Sequence, residues 1–240
     1  MAKKTWKMLE NNPKVMNQLA TKLGLSPELA FHDVYSLGSP EDLLHIPRPA
    51  LALLVIIPMT PAWDLNRKTE DADKQPYAGS GPDEPVVWFK QTIGNACGSI
   101  GLLHSVINGP AAEYIKPGSD YAAIRSAAVP LGMNERAQML YDNEAFERAH
   151  KSLEQLGDSE ADPMDGRKGG HFVSFVKAGG RLWELEGDRK GPLDRGDLAH
   201  DEDVLSPRAL DMGIKRIIAL NTDGRGESLR FSCIALARRT

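Results

Sequence analysis

A cysteine, a histidine, a carboxylate and a glutamine stand along this chain in an order that suits acyl transfer. Cys97 lies among small residues where an apolar helix is expected to begin, with Ile100, Leu103 and Ile107 recurring downstream at helical spacing. The unpaired N–H groups and positive dipole end of a helix start favour an anion, and a thiolate is one. Gln91, a short way upstream, offers an amide N–H of the kind that stabilises a developing oxyanion. The competing reading of Cys97 is a small buried hydrophobe, the common fate of an intracellular cysteine.

His171 opens a stretch over 171–177 that reads as a strand, a second strand follows over 181–186, and Gly179-Gly180 between them signals a two-residue hairpin. That turn pairs Ala178 with Arg181, Val173 with Glu186 and His171 with Asp188. His171 and Glu186 then share a face as diagonal neighbours, about 7–8 Å apart or somewhat less. Asp188 shares the face only if pairing runs past Gly187. A lone histidine at a strand start is more often structural than catalytic. With a thiol and a carboxylate it gains a role: the thiolate attacks, the imidazole moves the proton, and the carboxylate fixes the ring.

The bulk composition narrows the classes. The chain has 240 residues, 41% of them apolar, and a net charge of −4. A sizeable core is within reach, and nucleic-acid binding, which favours a basic face, is disfavoured. Two cysteines make neither a disulfide framework nor a zinc spacing. The first residues lack the apolar run of a signal peptide, and residues 50–57, the longest apolar run, fall short of the roughly 20 needed to span a bilayer. A protein of the cytoplasm, off the membrane, is the expectation.

The elements that must position these groups read as follows. A helix starts after Asn12 at Pro13 and stops at Gly24, burying Met16, Leu19, Ala20 and Leu23. A strand is expected over 31–37 and a short helix after Ser39. Residues 50–57 suit a central strand buried on both faces. Residues 61–85, charged and rich in breakers, read as a mobile loop inserted into one folded unit. Residues 119–150 read as mostly helical, with Asn134 as one cap. Residues 151–170 form a second breaker-rich stretch. A helix is expected from about Pro207 carrying Leu210, Ile214, Ile217 and Ile218, then a turn over 222–227 and a closing strand over 229–237 with Cys233 in the core.

The same segments carry a resemblance. Gln91-Thr-Ile-Gly-Asn-Ala-Cys97-Gly-Ser-Ile-Gly-Leu, Gly170-His171-Phe172 with Leu182-Trp-Glu-Leu-Glu-Gly187 after it, residues 6–24, and Pro47-Arg-Pro49 all match in order. In them the sequence resembles the ubiquitin C-terminal hydrolases, papain-like cysteine peptidases, and in particular their short single-domain members. The resemblance implies one catalytic domain over 1–240 of α/β (α+β) class. Its central antiparallel-rich sheet would be flanked by helices on both sides, with a knotted chain path and a loop over 150–169 crossing the active site. It implies Cys97 as nucleophile, His171 as general base and acid, and Gln91 as oxyanion donor with the Cys97 N–H. The family usually places Asp where Glu186 stands; Glu186 is favoured for the third role, with Asp188 as the alternative.

The implied activity is removal of small adducts or peptides from the C-terminal glycine of ubiquitin through a thioester, with no metal or organic cofactor. Ubiquitin contacts are expected at Trp6, Met8, Leu9 and Glu10 and on the crossover. There Glu154, Asp158, Glu160 and Asp162 would attract a basic tail. Two other readings stay open: an inactive ubiquitin-binding protein, and a hydrolase preferring a modifier such as Nedd8. A monomer is the simplest expectation.

Overall fold

An apolar run with no polar face must be covered twice, and residues 50–57 are covered in that way. The structure, a computed structural model, describes residues 4–156, 170–221 and 231–240. Six strands, β1 (Leu29–Val34), β2 (Ala52–Pro58), β3 (Gly170–Ala178), β4 (Arg181–Leu185), β5 (Leu193–Asp197) and β6 (Ser232–Arg238), form one sheet in the order β1-β6-β2-β3-β4-β5. Every neighbouring pair is antiparallel. On β2, Ala52 and Leu54 join the core on one face, while Leu53, Val55 and Ile57 join the core on the other. Strands β3 and β6 divide in the same way, with Phe172, Val176, Ile234 and Leu236 on the first face and Val173, Phe175, Cys233 and Ala235 on the second.

Helices cover both faces. The first carries α1 (Pro13–Leu23), α3 (Cys97–Ile107), α4 (Asp120–Ala128), α5 (Met133–Tyr141) and α6 (Glu144–Lys151). The second carries α2 (Pro61–Asp71), α7 (Pro207–Met212) and α8 (Ile214–Asn221). Helix α1 has the expected punctuation: the Asn12 side chain accepts from Val15 N at 2.9 Å, and Gly24 takes the left-handed conformation at φ 112°. Among the described residues, no helix is long and apolar enough to cross a membrane.

Several expectations need correction. Residues 61–71 form α2 rather than loop: the Thr60 side chain accepts from Trp63 N at 3.1 Å and Pro61 takes a first-turn position, a complete helix start. The first strand lies earlier than expected, because the chain leaves the sheet after Val34 and Tyr35 turns out to solvent. Asn134 lies inside α5; the start is set at Gly132, whose N–H is accepted by Glu135 at 3.2 Å. The helix after Pro207 is broken at Gly213 into two. Strand β5 escaped notice because only Leu193 of its residues is buried. The turn over 222–227 and residues 157–169 of the expected crossover lie outside the described residues.

Helix α3 lies close on the sheet because its small residues permit it. A Cβ at Gly98 would stand 3.2 Å from the Phe172 ring, and one at Gly101 would stand 2.8 Å from Leu54 Cδ1. Gly101→Val should therefore force α3 away from β2 and β3 and lower stability by about 1–3 kcal/mol, the usual range for overpacking. Denaturant melts of the variant beside wild type measure this.

Candidate active site

Cys97 is the first residue of α3 and is buried. The chain reaches it through a tight turn. Asn95 adopts φ 59°, a conformation that asparagine tolerates better than most residues, and its Nδ2 donates to Trp6 O at 3.1 Å. Backbone bonds from Trp6 N to Gly94 O and from Gly94 N to Lys4 O, both 2.9 Å, tie this turn to the N-terminal segment. Helix α3 then runs over Phe172, so that Cys97 meets the residue before it: the Cys97 thiol lies against the His171 imidazole and favours its charged form.

On its other side His171 faces Glu186. Nε2 lies 3.0 Å from Oε1, with both side chains almost wholly buried. The N–H does not point along that line, so the contact is one of charge rather than a straight hydrogen bond. The β3–β4 ladder matches the expected hairpin register from Ala178↔Arg181 as far as Ser174↔Leu185 and ends there. Glu186 therefore leaves the sheet just where its side chain must turn to the imidazole. Asp188, the alternative, is much more exposed, and its carboxylate stands within 4.8 Å of both His171 and Glu186.

Charge sets the protonation. Burial works to strip the proton from His171, but the neighbouring Cys97 thiol and Glu186 carboxylate outweigh it and push the imidazole up to about 10. Burial likewise opposes the Glu186 charge; His171, Arg67 and Arg189 overcome it and hold the carboxyl below its ordinary value. Helix α2, expected as loop, supplies two groups that sequence reasoning missed. The Trp63 ring lies 5.7 Å from the His171 ring, and Arg67 donates to Glu186 Oε1 at 3.1 Å. Their signal was the Thr60-Pro61 helix start, with Trp63 and Arg67 one turn apart.

Gln91 is brought to the same place by its backbone. Its N–H donates to Gly187 O at 2.8 Å, and a Cβ at Gly187 would stand 2.8 Å from Gln91 Cβ, so only glycine permits the approach. Gln91 Oε1 is buried with no hydrogen-bond partner among the described residues. Two polar residues one turn apart in the apolar α3 region hold the strand-like segment that ends at Gln91. His104 Nε2 accepts from Phe89 N at 2.9 Å, and Asn108 bonds both Val87 N and Val87 O. Burial drives His104 down to about 3, which keeps it neutral and able to accept. Their spacing in an otherwise apolar helix was a signal that went unread.

The expected substrate-contact residues divide. Trp6 and Leu9 are buried in the core, where Trp6 packs on the His150 ring at 4.3 Å; Met8 and Glu10 are only partly buried. Their apolar bulk makes Trp6 and Leu9 supports of the segment rather than its outer face. Glu154 accepts from Lys7 N at 3.1 Å, so its carboxylate holds the chain's own N-terminal segment. Asp158 and Asp162 lie outside the described residues, as does Glu160.

A helix-borne thiol beside an imidazole backed by a carboxylate is the arrangement of a cysteine peptidase. The comparisons make this specific: residues 6–219 match the model of "Ubiquitin carboxyl-terminal hydrolase, family 1", and the chain belongs to that family. It is 33% identical to ubiquitin carboxyl-terminal hydrolase 3 of Arabidopsis thaliana over 239 residues, covering 99% of this chain and 96% of that one. It is 32% identical to human ubiquitin carboxyl-terminal hydrolase isozyme L1 over 232 residues, covering 97% and 98%. The fold matches the catalytic domain of Trichinella spiralis UCH37 bound to ubiquitin vinyl methyl ester. The TM-score is 0.73 at 22% identity, over 100% of this chain and 98% of that one.

The raised His171 value has a consequence for stability. A group whose pKa rises on folding stabilises the fold fully below its unfolded value and loses that contribution as pH climbs through the folded one. The gap in melting temperature between wild type and His171→Gln should be widest below about pH 6.5 and close as pH rises toward about 10. Melts across that range check it; a gap that ignores pH means His171 is not held as the cation.

Proposed function

We propose that this protein is a cysteine hydrolase that releases small adducts or peptides from the C-terminal glycine of ubiquitin, using Cys97, His171, Glu186 and Gln91. The observation that best supports this is His171, placed between the Cys97 thiol on one side and the buried Glu186 carboxylate, 3.0 Å away, on the other. The charged imidazole stabilises a thiolate, which attacks the terminal carbonyl carbon. The Gln91 amide and the Cys97 N–H stabilise the oxyanion that forms. As the tetrahedral species collapses, the bond to the leaving group breaks and His171 gives that group its proton. A thioester to Cys97 is left. Water then attacks the thioester while His171 takes a proton from it. Free ubiquitin departs, and the thiol is restored. Met8 and Glu10 are the residues of the N-terminal segment proposed to meet ubiquitin.

The protein is proposed to act as a monomer in the cytoplasm, a reading in keeping with two cysteines that are both unpaired. Competition between ubiquitin and Nedd8 tails as substrates decides which modifier it prefers. The test of the reaction is release of a fluorescent amide from the ubiquitin C-terminus. Cys97→Ala should abolish release while ubiquitin still binds; normal turnover in that variant would place the nucleophile elsewhere. Gln91→Ala should lower kcat by about 10²–10³-fold. A change confined to KM would make Gln91 a binding residue.

A further inference from the structure

A glutamate has more freedom than its role beside an imidazole can use. Fixing its rotamer costs conformational entropy, and burying its charge requires counter-charge. Two arginines meet both needs. Arg67 Nη1 donates to Oε1 at 3.1 Å, the same oxygen that lies 3.0 Å from His171 Nε2, and Arg189 Nε donates to Oε2 at 3.0 Å. Each arginine is itself held. Arg67 also bonds Asp64 at 3.0 Å and lies over the Trp63 ring at 4.9 Å. Arg189 donates to the Arg67 carbonyl at 3.1 Å and to Glu70 at 2.7 Å. One arginine thus grips the carboxylate, and the other grips both the carboxylate and the backbone of the first.

We propose that Arg67 and Arg189 form a clamp that locks the Glu186 side chain with Oε1 turned to His171, which makes them positioning residues for the hydrolysis proposed above, on which this inference rests. Arg67 is the pivot, since it shares an oxygen with the imidazole. Asp188, whose Oδ2 lies 3.6 Å from Arg67 Nη1, then serves the clamp from the rim. The titratable and charged groups facing the pair are Cys97 from α3, Arg67 with Asp64 behind it from α2, and Asp188 and Arg189 from the turn after β4. Glu70 and Asp71 of α2 and Glu184 of β4 lie behind Arg189.

Arg189 is buried, and its loss risks the fold, so the test uses the more accessible Arg67. In ubiquitin amide release, Arg67→Gln should lower kcat by about 10–100-fold, the scale of a small misplacement, with KM within about twofold. Arg67→Lys, which keeps the charge but not the fork, should recover part of the loss. In a Glu186→Gln background Arg67→Gln should cost nothing further, because the arginine acts only through the carboxylate. Equal losses in both backgrounds, or a rise in KM alone, would overturn the clamp.

A second readout needs no ubiquitin: the rate of Cys97 alkylation by iodoacetamide against pH, with Cys97→Ala as the blank that subtracts any reaction at Cys233. Removing the Arg67 cation should move the acid limb of this profile upward, and an unmoved limb would overturn the clamp. If the limb moves but wild type releases no ubiquitin adduct, the clamp stands and the hydrolase reading falls.

Discussion

A carboxylate cannot be buried beside an imidazole without further cations to hold its charge, and much of this structure follows from that demand. Glu186 is almost wholly buried, and three positively charged groups converge on its two oxygens. One comes from β3, one from α2 and one from the turn after β4. The sheet alone could not deliver them, since β4 ends at Leu185. Helix α2 must lie against that end of the sheet for the charge to be tolerated. Its placement brings Trp63 against the ring that the carboxylate orients.

The backbone of the same two residues reaches in the opposite direction. Glu186 O accepts from Trp88 Nε1 at 3.1 Å, and Gly187 O accepts from Gln91 N at 2.8 Å. The peptide that presents the orienting carboxylate therefore also sets the height of the segment carrying Gln91. That segment is held from α3 by His104 and Asn108, on the same helix that begins at Cys97. The thiol, the amide and the carboxylate are thus referred to one another through few joints, as a site built on rigid elements requires.

The groups of the candidate site were legible in the sequence because each has a local signature. Cys97 sits among small residues ahead of an apolar helix; His171 and Glu186 sit at the ends of two strands whose Gly179-Gly180 turn fixes the register. That register held as far as residue 185, and the diagonal contact survived although the ladder stopped short of Glu186. The run over 50–57 announced a strand buried on both faces, and its flanking strands obey the same period. What sequence reasoning could not supply were partners far apart in the chain. Nothing near Arg67 names Glu186, and nothing near Arg136 names Glu84, with which it makes a buried ion pair at 2.7 Å.

Helix α2 shows why such elements are misread. Among its residues only Trp63 and Asp71 are buried, so it has no apolar stripe for a periodic pattern to reveal. It is seated by ions instead. Glu70 bonds Arg189, Arg195 and Arg216, and those cations hold its carboxyl, against the effect of burial, down to about 2. Arg195 and Arg216 also meet on Glu184 of β4, so the network joins α2 to β4, β5 and α8. Ion pairs of this kind add little net stability compared with apolar packing, yet removing one partner strands a buried charge at a cost of about 3–5 kcal/mol. A helix docked in this way has few alternative positions, because sliding it would strand several charges at once. Apolar packing tolerates small displacements far better. For a helix that holds Arg67 within hydrogen-bonding distance of the buried Glu186 carboxylate, that intolerance is the useful property, and it explains why charge rather than hydrophobicity places α2.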